Sequence, residues 1–135
     1  AELRGSSLAL SIALGKKMAT NTFKRITKAN IGMGSGSQTT IYTVPSGTTS
    51  IVIGILVTNK SSNEVDVTLS IDTSISGQDD VDLLSAVKVY PNTSTEVILG
   101  KLVLSHDTTN GDVLKAYASA ASSIDITFSF LEDVN

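Results

Sequence analysis

EVDVTLSID, residues 64–72, alternates without a break: Val65, Val67, Leu69 and Ile71 fall on one side, Glu64, Asp66, Thr68, Ser70 and Asp72 on the other. Side chains of an extended chain point to opposite faces in turn, so this stretch predicts a strand with one face against a core and one in water. SIDITFSF, residues 123–130, repeats the pattern with Ile124, Ile126, Phe128 and Phe130 inward and Asp125, Thr127 and Ser129 outward. SIVIGILVTN, residues 50–59, is apolar on both faces, Ile51, Ile53, Ile55 and Val57 against Val52 and Leu56. That predicts a central strand covered on both sides or by a neighbouring subunit, with Gly54 marking a bulge or a close approach.

Shorter strand candidates are TTIYTV before Pro45, VDLLSAVKVY before Pro91, TEVILGKLVL, and DVLKAYA. Between them stand turn formers: Pro45-Ser46-Gly47, Lys60-Ser61-Ser62-Asn63, Pro91-Asn92-Thr93-Ser94 and Asn110-Gly111. Pro presets the backbone for a turn, and Gly and Asn tolerate left-handed conformations, so these clusters separate strands. Seven or eight strands with no helical period predict an all-β fold, a single β-sandwich or jelly roll over residues 38–135. Pattern alone does not order the strands. Composition agrees: aromatic residues are 4% of the chain and Trp is absent, while β-branched residues, which suit a pleated surface, are abundant. The 135 residues suffice for one domain with a real core. Cysteine is absent, which excludes disulfides, thiolate zinc sites and cysteine nucleophiles.

Charge divides the chain. Residues 1–37 hold six cations against Glu2, net +5, whereas residues 38–135 hold four lysines against twelve carboxylates, net −8. The reading is an extended basic N-terminal arm, residues 1–37, joined to an acidic body through a flexible Gly/Ser hinge near residues 32–37. Within the arm, Leu8–Leu14 is a short apolar run, suited to a helical turn or two or to a short added strand, and in either form it needs a partner surface. It is too short for a bilayer, which takes about 20 apolar residues, and the Lys16-Lys17 pair follows it where a secretory signal would carry its charge ahead. Neither export nor membrane anchoring is expected. Met18-Ala19-Thr20-Asn21 reads as a translation start, so residues 1–17 are either an authentic docking arm from an earlier start or a remnant ahead of the natural one.

Chemical constellations are thin. GMGSGSQ, residues 32–38, lacks the Gly-Lys-Ser/Thr ending of a phosphate loop and precedes a strand instead of a helix, so it reads as a linker. DTSISGQDDVDL, residues 72–83, begins like a calcium loop, but Leu83 stands where the bidentate glutamate belongs. Asp79, Asp80 and Asp82 offer a looser cation site, against the simpler reading of a solvated acidic loop. His106, the single histidine, precedes Asp107, yet no Gly-x-Ser-x-Gly turn accompanies it. No catalytic residue, metal ligand or cofactor is therefore assigned, and the chain is read as no enzyme. Lys16, Lys17, Lys24, Arg25 and Lys28 with Phe23 among them can neutralise phosphates, but the acidic body would repel nucleic acid, which is disfavoured beside an acidic protein surface. Asn59-Lys60-Ser61 and Asn92-Thr93-Ser94 match the glycosylation pattern and are read as turns.

Asn30-Ile31-Gly32, Thr40–Pro45, Ile51–Gly54, Thr58-Asn59 and Ile124–Leu131, in that order, resemble small structural proteins of tailed bacteriophages of the cyanophage and marine type. The likeness spans most of residues 22–132. It implies a virion component, best a capsid decoration or cement protein: a small β-rich domain, often a homotrimer, on the outer shell where capsid subunits meet. The implied partner is the major capsid protein, and the implied location is the virion surface after synthesis in the host cytoplasm. On that reading Leu3, Leu8, Leu10, Ile12 and Leu14 pack into a groove on a neighbour while Lys16, Lys17, Lys24 and Arg25 meet its carboxylates. The alternative is a tail, head-tail or fibre-associated module for a host glycan, which would draw on Tyr42, Tyr90 and Tyr117.

Overall fold

The computed structural model describes residues 20–97 and 102–134; Leu3, Leu8, Leu10, Ile12, Leu14, Lys16 and Lys17 lie outside them. Nine strand segments follow in order: β1 Thr20–Lys28, β2 Thr39–Thr43, β3 Thr48–Asn59, β4 Val65–Thr73, β5 Val81–Val89, β6 Thr93–Val97, β7 Val103–Ser105, β8 Asp112–Ala118 and β9 Ile124–Val134. One sheet runs β1-β9-β3-β6, with β7 also on β3; the other runs β2-β8-β4-β5. Segments β6 and β7 pair with successive parts of β3, Ile55–Asn59 and Thr49–Ile51, so together they act as one strand along its edge. Apart from the β4-β5 hairpin, every connection then crosses from one sheet to the other. This is the eight-stranded, all-antiparallel jelly roll.

The core lies between the sheets. From β9 come Ile124, Ile126, Phe128 and Phe130, from β4 Val65, Val67 and Leu69, and from β8 Leu114, Ala116 and Ala118, all buried. The inward sets read in residues 64–72 and 123–130 do face the core, except that Ile71 is only half-buried, and Thr68 and Ser70, expected on a wet face, are buried too. The β3 strand departs from its expected faces. Its pairing with β9 shifts between Val52 and Gly54, so that Ile53 is an extra residue in a β-bulge. A one-residue shift exchanges the faces of everything beyond it. Ser50 and Val52 point inward before the bulge, Ile55 and Val57 after it, and Ile51, Ile53 and Leu56 are left exposed on the outer face.

The N-terminal boundary also differs from the sequence reading. Thr20–Lys28 is an edge strand of the body, paired with β9 over nine positions. The stretch read as a Gly/Ser hinge is pinned to the body on both sides. Ile31 is fully buried and its N–H donates to the Ile124 carbonyl at 2.9 Å. Gly34 N–H donates to the Ala118 carbonyl and Ala118 N–H to the Gly32 carbonyl, both at 2.9 Å. Gly32 is required there because a Cβ would stand 1.8 Å from the Ser37 carbonyl oxygen.

Asn59, read as a turn residue, is fully buried and builds the β3-β4 connection. Its side-chain amide donates to the carbonyls of Asn63 at 2.8 Å and Val89 at 2.9 Å, and its oxygen accepts from Ser61 N–H and Oγ. With both amide hydrogens used, nothing of it is offered to solvent.

Candidate interaction surface

Directly paired residues in an antiparallel sheet point to the same face, so the register fixes which side chains share the outer surface of the β1-β9-β3 sheet. Phe23 lies opposite Leu131, Leu131 opposite Ile51, and Ile51 opposite Val103. Four strands thus contribute one apolar side chain each to a row across the sheet, about 14 Å long at ~4.8 Å per strand. Phe23 is 78% exposed, Val103 52% and Ile51 39%, and the bulge adds Ile53 beside them at 48%. A shallow depression of about 240 Å³ follows, lined by Ile53, Gly54, Leu56, Glu96, Thr127 and Ser129. Single exposed apolar residues are ordinary on a protein surface, whereas a contiguous row of them is a candidate interaction surface.

The polar surroundings of the row are set by the same register. Asn21 pairs with Asp133, and Asp133 with Thr49, one step toward the Thr20 end. Asp133 Oδ1 is shut off from solvent without a hydrogen-bond partner among the described residues. Arg25 is opposite Ser129 and exposed on the other side of the row. Glu96 pairs with Leu56 and is exposed near the far edge.

The sequence places Lys24 with Arg25 among the arm's contacts, but the two point to opposite faces of β1. Lys24 is opposite Phe130 on the inner side, and its Nζ donates to Glu132 Oε1 at 2.6 Å. Tyr42 OH donates to Glu132 Oε2 at 2.7 Å. A carboxylate only accepts, so the Tyr42 proton is committed, and the 2.7 Å contact between Tyr42 and Ser50 has Ser50 Oγ donating. One buried carboxylate thereby ties β1, β2, β3 and β9 together at the end of the sandwich. Burial pushes the Glu132 carboxyl up, but the Lys24 and Tyr42 hydrogen bonds and the Lys24 charge bring it below its ordinary value. Burial, reinforced by the Glu132 charge, holds the Tyr42 hydroxyl far above its own.

The remaining candidate residues are dispersed. His106 contacts the carbonyl of its own neighbour Asp107 and bridges to Gly111 across a turn. The Asp107 carboxylate accepts from the Asn110 and Thr109 N–H groups, which lower its pKa. Asp80 caps Thr73 N–H at 2.7 Å, and the described residues include no group of three metal-capable side chains. Of the tyrosines weighed for a glycan, Tyr42 is buried, Tyr90 exposed, and Tyr117 lines a small hollow with Met33 and Asp66 on the other sheet. Among the described residues no helix is long and apolar enough to cross a membrane.

No family model and no curated protein sequence matches this chain. Among solved structures, the fold is similar to a chain of the infectious bursal disease virus T13 viral particle, with a TM-score of 0.52 and 12% identity over 87% of this chain and 32% of that one. A structure of the Gx strain of the same virus gives a TM-score of 0.53 at 14% identity, covering 87% of this chain and 34% of that one. A Gt-strain structure gives 0.50 at 14% identity, covering 87% and 32%. This chain spans about a third of the length of those viral chains. At such identity the likeness is one of fold: a jelly roll of the kind those viral chains contain.

Proposed function

We propose that this chain is a structural component of a virion and, within that class, a capsid decoration protein that bridges neighbouring capsid subunits with its body and N-terminal arm. The observation that carries the reading is the jelly-roll strand order, which this chain shares in fold with chains of an icosahedral virus particle. The apolar row on the outer sheet and the basic leader on an acidic body support it, since both call for a second polypeptide. A shell is stabilised by whatever binds the assembled lattice better than free subunits, because such binding shifts the assembly equilibrium.

In this mechanism the sandwich is the rigid part and the leader the reaching part. The nineteen residues ahead of β1 span at most about 63 Å at ~3.3 Å each, enough to cross a subunit boundary. Leu3, Leu8, Leu10, Ile12 and Leu14 supply apolar contact, while Lys16, Lys17 and the outward Arg25 set register against carboxylates of the neighbour. Lys24 is already held by Glu132 and stays with the body. Burying four leucine-sized side chains contributes on the order of 6 kcal/mol before ordering costs, so apolar contact dominates. Joining copies in a trimer multiplies retention through effective concentration.

Deleting residues 1–17 is expected to reduce the fraction of protein retained on heated particles at least tenfold relative to the full chain, measured by sedimentation and gel densitometry. Unchanged retention would contradict the bridging role.

A further inference from the structure

The row formed by Phe23, Leu131, Ile51 and Val103 is a sheet face that no described element covers, and the chain itself carries a segment that matches it. Leu8, Leu10, Ile12 and Leu14 recur at every second residue with Ala9, Ser11 and Ala13 between them. Extended, such a segment presents its large side chains along one side at intervals of about 6.7 Å, so three of them span the ~14 Å row while the small residues face away. Lys16 and Lys17 follow immediately. Beside the row, Asp133 Oδ1 lacks a hydrogen-bond donor among the described residues, and Glu96 stands exposed on β6 opposite Leu56.

We propose that this row is the seat for Leu8–Leu14 of a second copy of the same chain, so that copies are linked leader to sheet. The proposal rests on the reading of residues 1–17 as a docking arm and names one surface that the arm grips. Charge and chain length favour a second copy over the same one. A leader returning across its own β1 has only five residues, Gly15 to Ala19, in which to reverse and clear the Phe23 ring. It would also bring Lys16 and Lys17 beside Arg25, a like charge on the same face. A leader arriving from the β7 side meets Val103 first and keeps Lys16 and Lys17 at the opposite edge of the sheet from Arg25. Because every copy carries both the segment and the row, leaders can be exchanged reciprocally in a two-fold pair or passed head-to-tail around a larger ring.

Cysteine is absent from the chain, so introduced thiols pair without competition. Full-length chains carrying Ile12→Cys and, under a different tag, Val103→Cys are mixed and oxidised. The expected result is a cross-linked pair of differently tagged chains, at least tenfold more abundant than with Lys88→Cys, on the other sheet, in place of Val103→Cys. Equal yields from the two positions, or no cross-link, would overturn the seat. So would a double variant Ile12→Cys/Val103→Cys that closes only within single chains. If deletion of residues 1–17 releases the protein from particles while no Ile12→Cys to Val103→Cys cross-link forms, the docking arm stands and this seat does not. Selective cross-linking with undiminished retention would remove the arm's role on the particle and leave the seat.

Discussion

Replacing Phe128 with alanine is expected to cost about 3–5 kcal/mol, a large share of the ~5–15 kcal/mol that holds a domain of this size together. The chain has three phenylalanines, three tyrosines and no tryptophan, and its buried aromatic cluster consists of Tyr42, Phe128 and Phe130. Phe128 is fully buried, stacked on Phe130 at 4.6 Å between ring centroids and tilted against Tyr42 at 5.6 Å. Its cross-strand neighbours are Ile26 on β1 and Ile55 on β3, so the lost ring leaves a void under the sheet's centre. Aliphatic side chains fixed on paired strands cannot move in to fill it, and the cavity adds to the lost transfer free energy. Urea unfolding should show a lower midpoint with an unchanged slope. Phe128→Leu, which keeps most of the volume, should lose markedly less. A loss below about 1 kcal/mol for Phe128→Ala would mean that the rings do not pack as described.

Glu132→Ala should be the second most damaging change, at about 2–3 kcal/mol. Its main cost is the Tyr42 hydroxyl, left buried without its acceptor; Lys24 is half exposed and can return to water, which limits the loss from that side. Glu132→Gln should be milder, since it keeps an acceptor for Tyr42. The same cluster sets a pH dependence whose sign is fixed. Glu132 has a lowered pKa in the folded chain, so the stability it contributes is present above the ordinary glutamate value of about 4.3 and is lost as pH falls through the folded value. Tyr42 has a raised pKa, so the folded chain also loses stability as pH rises beyond the ordinary tyrosine value of about 10. Thermal unfolding followed from pH 7 down to 3 should fall less steeply in Glu132→Gln than in the parent. Parallel curves would show that Glu132 is not the group responsible.

Strands facing the core were readable because one side of each is apolar: β9 alternates buried and half-buried residues from Ile124 to Asp133, and β4 buries Val65, Val67 and Leu69, although Thr68 and Ser70, read as outward, are buried as well. The inward place of Glu132 was also there to be read, two residues beyond Phe130 and four beyond Phe128 in the same period. The β1 strand gave no such signal. Its inward positions are Thr22, Lys24, Ile26 and Lys28, so only one is apolar, and its outward ones include Phe23. An edge strand at the open end of a sandwich can point lysines inward, which also guards against pairing with a foreign edge. Ile53 posed a different problem, because an extra residue in a ladder reverses the faces that follow without changing the composition. The apolar row was invisible for a third reason. Phe23, Ile51, Val103 and Leu131 are far apart in the chain and meet only through the pairing of four strands.

A jelly roll whose greasy, basic leader engages another polypeptide belongs, on our proposal, on the outside of a viral shell. Imaging whole particles that carry the full-length chain, beside particles stripped of it, tests this most directly. Density the size of this sandwich should stand over the junctions between capsid subunits and vanish on stripping, with thin connections leaving it at the Thr20 end. Density confined to the tail, or particles indistinguishable with and without the chain, would contradict it.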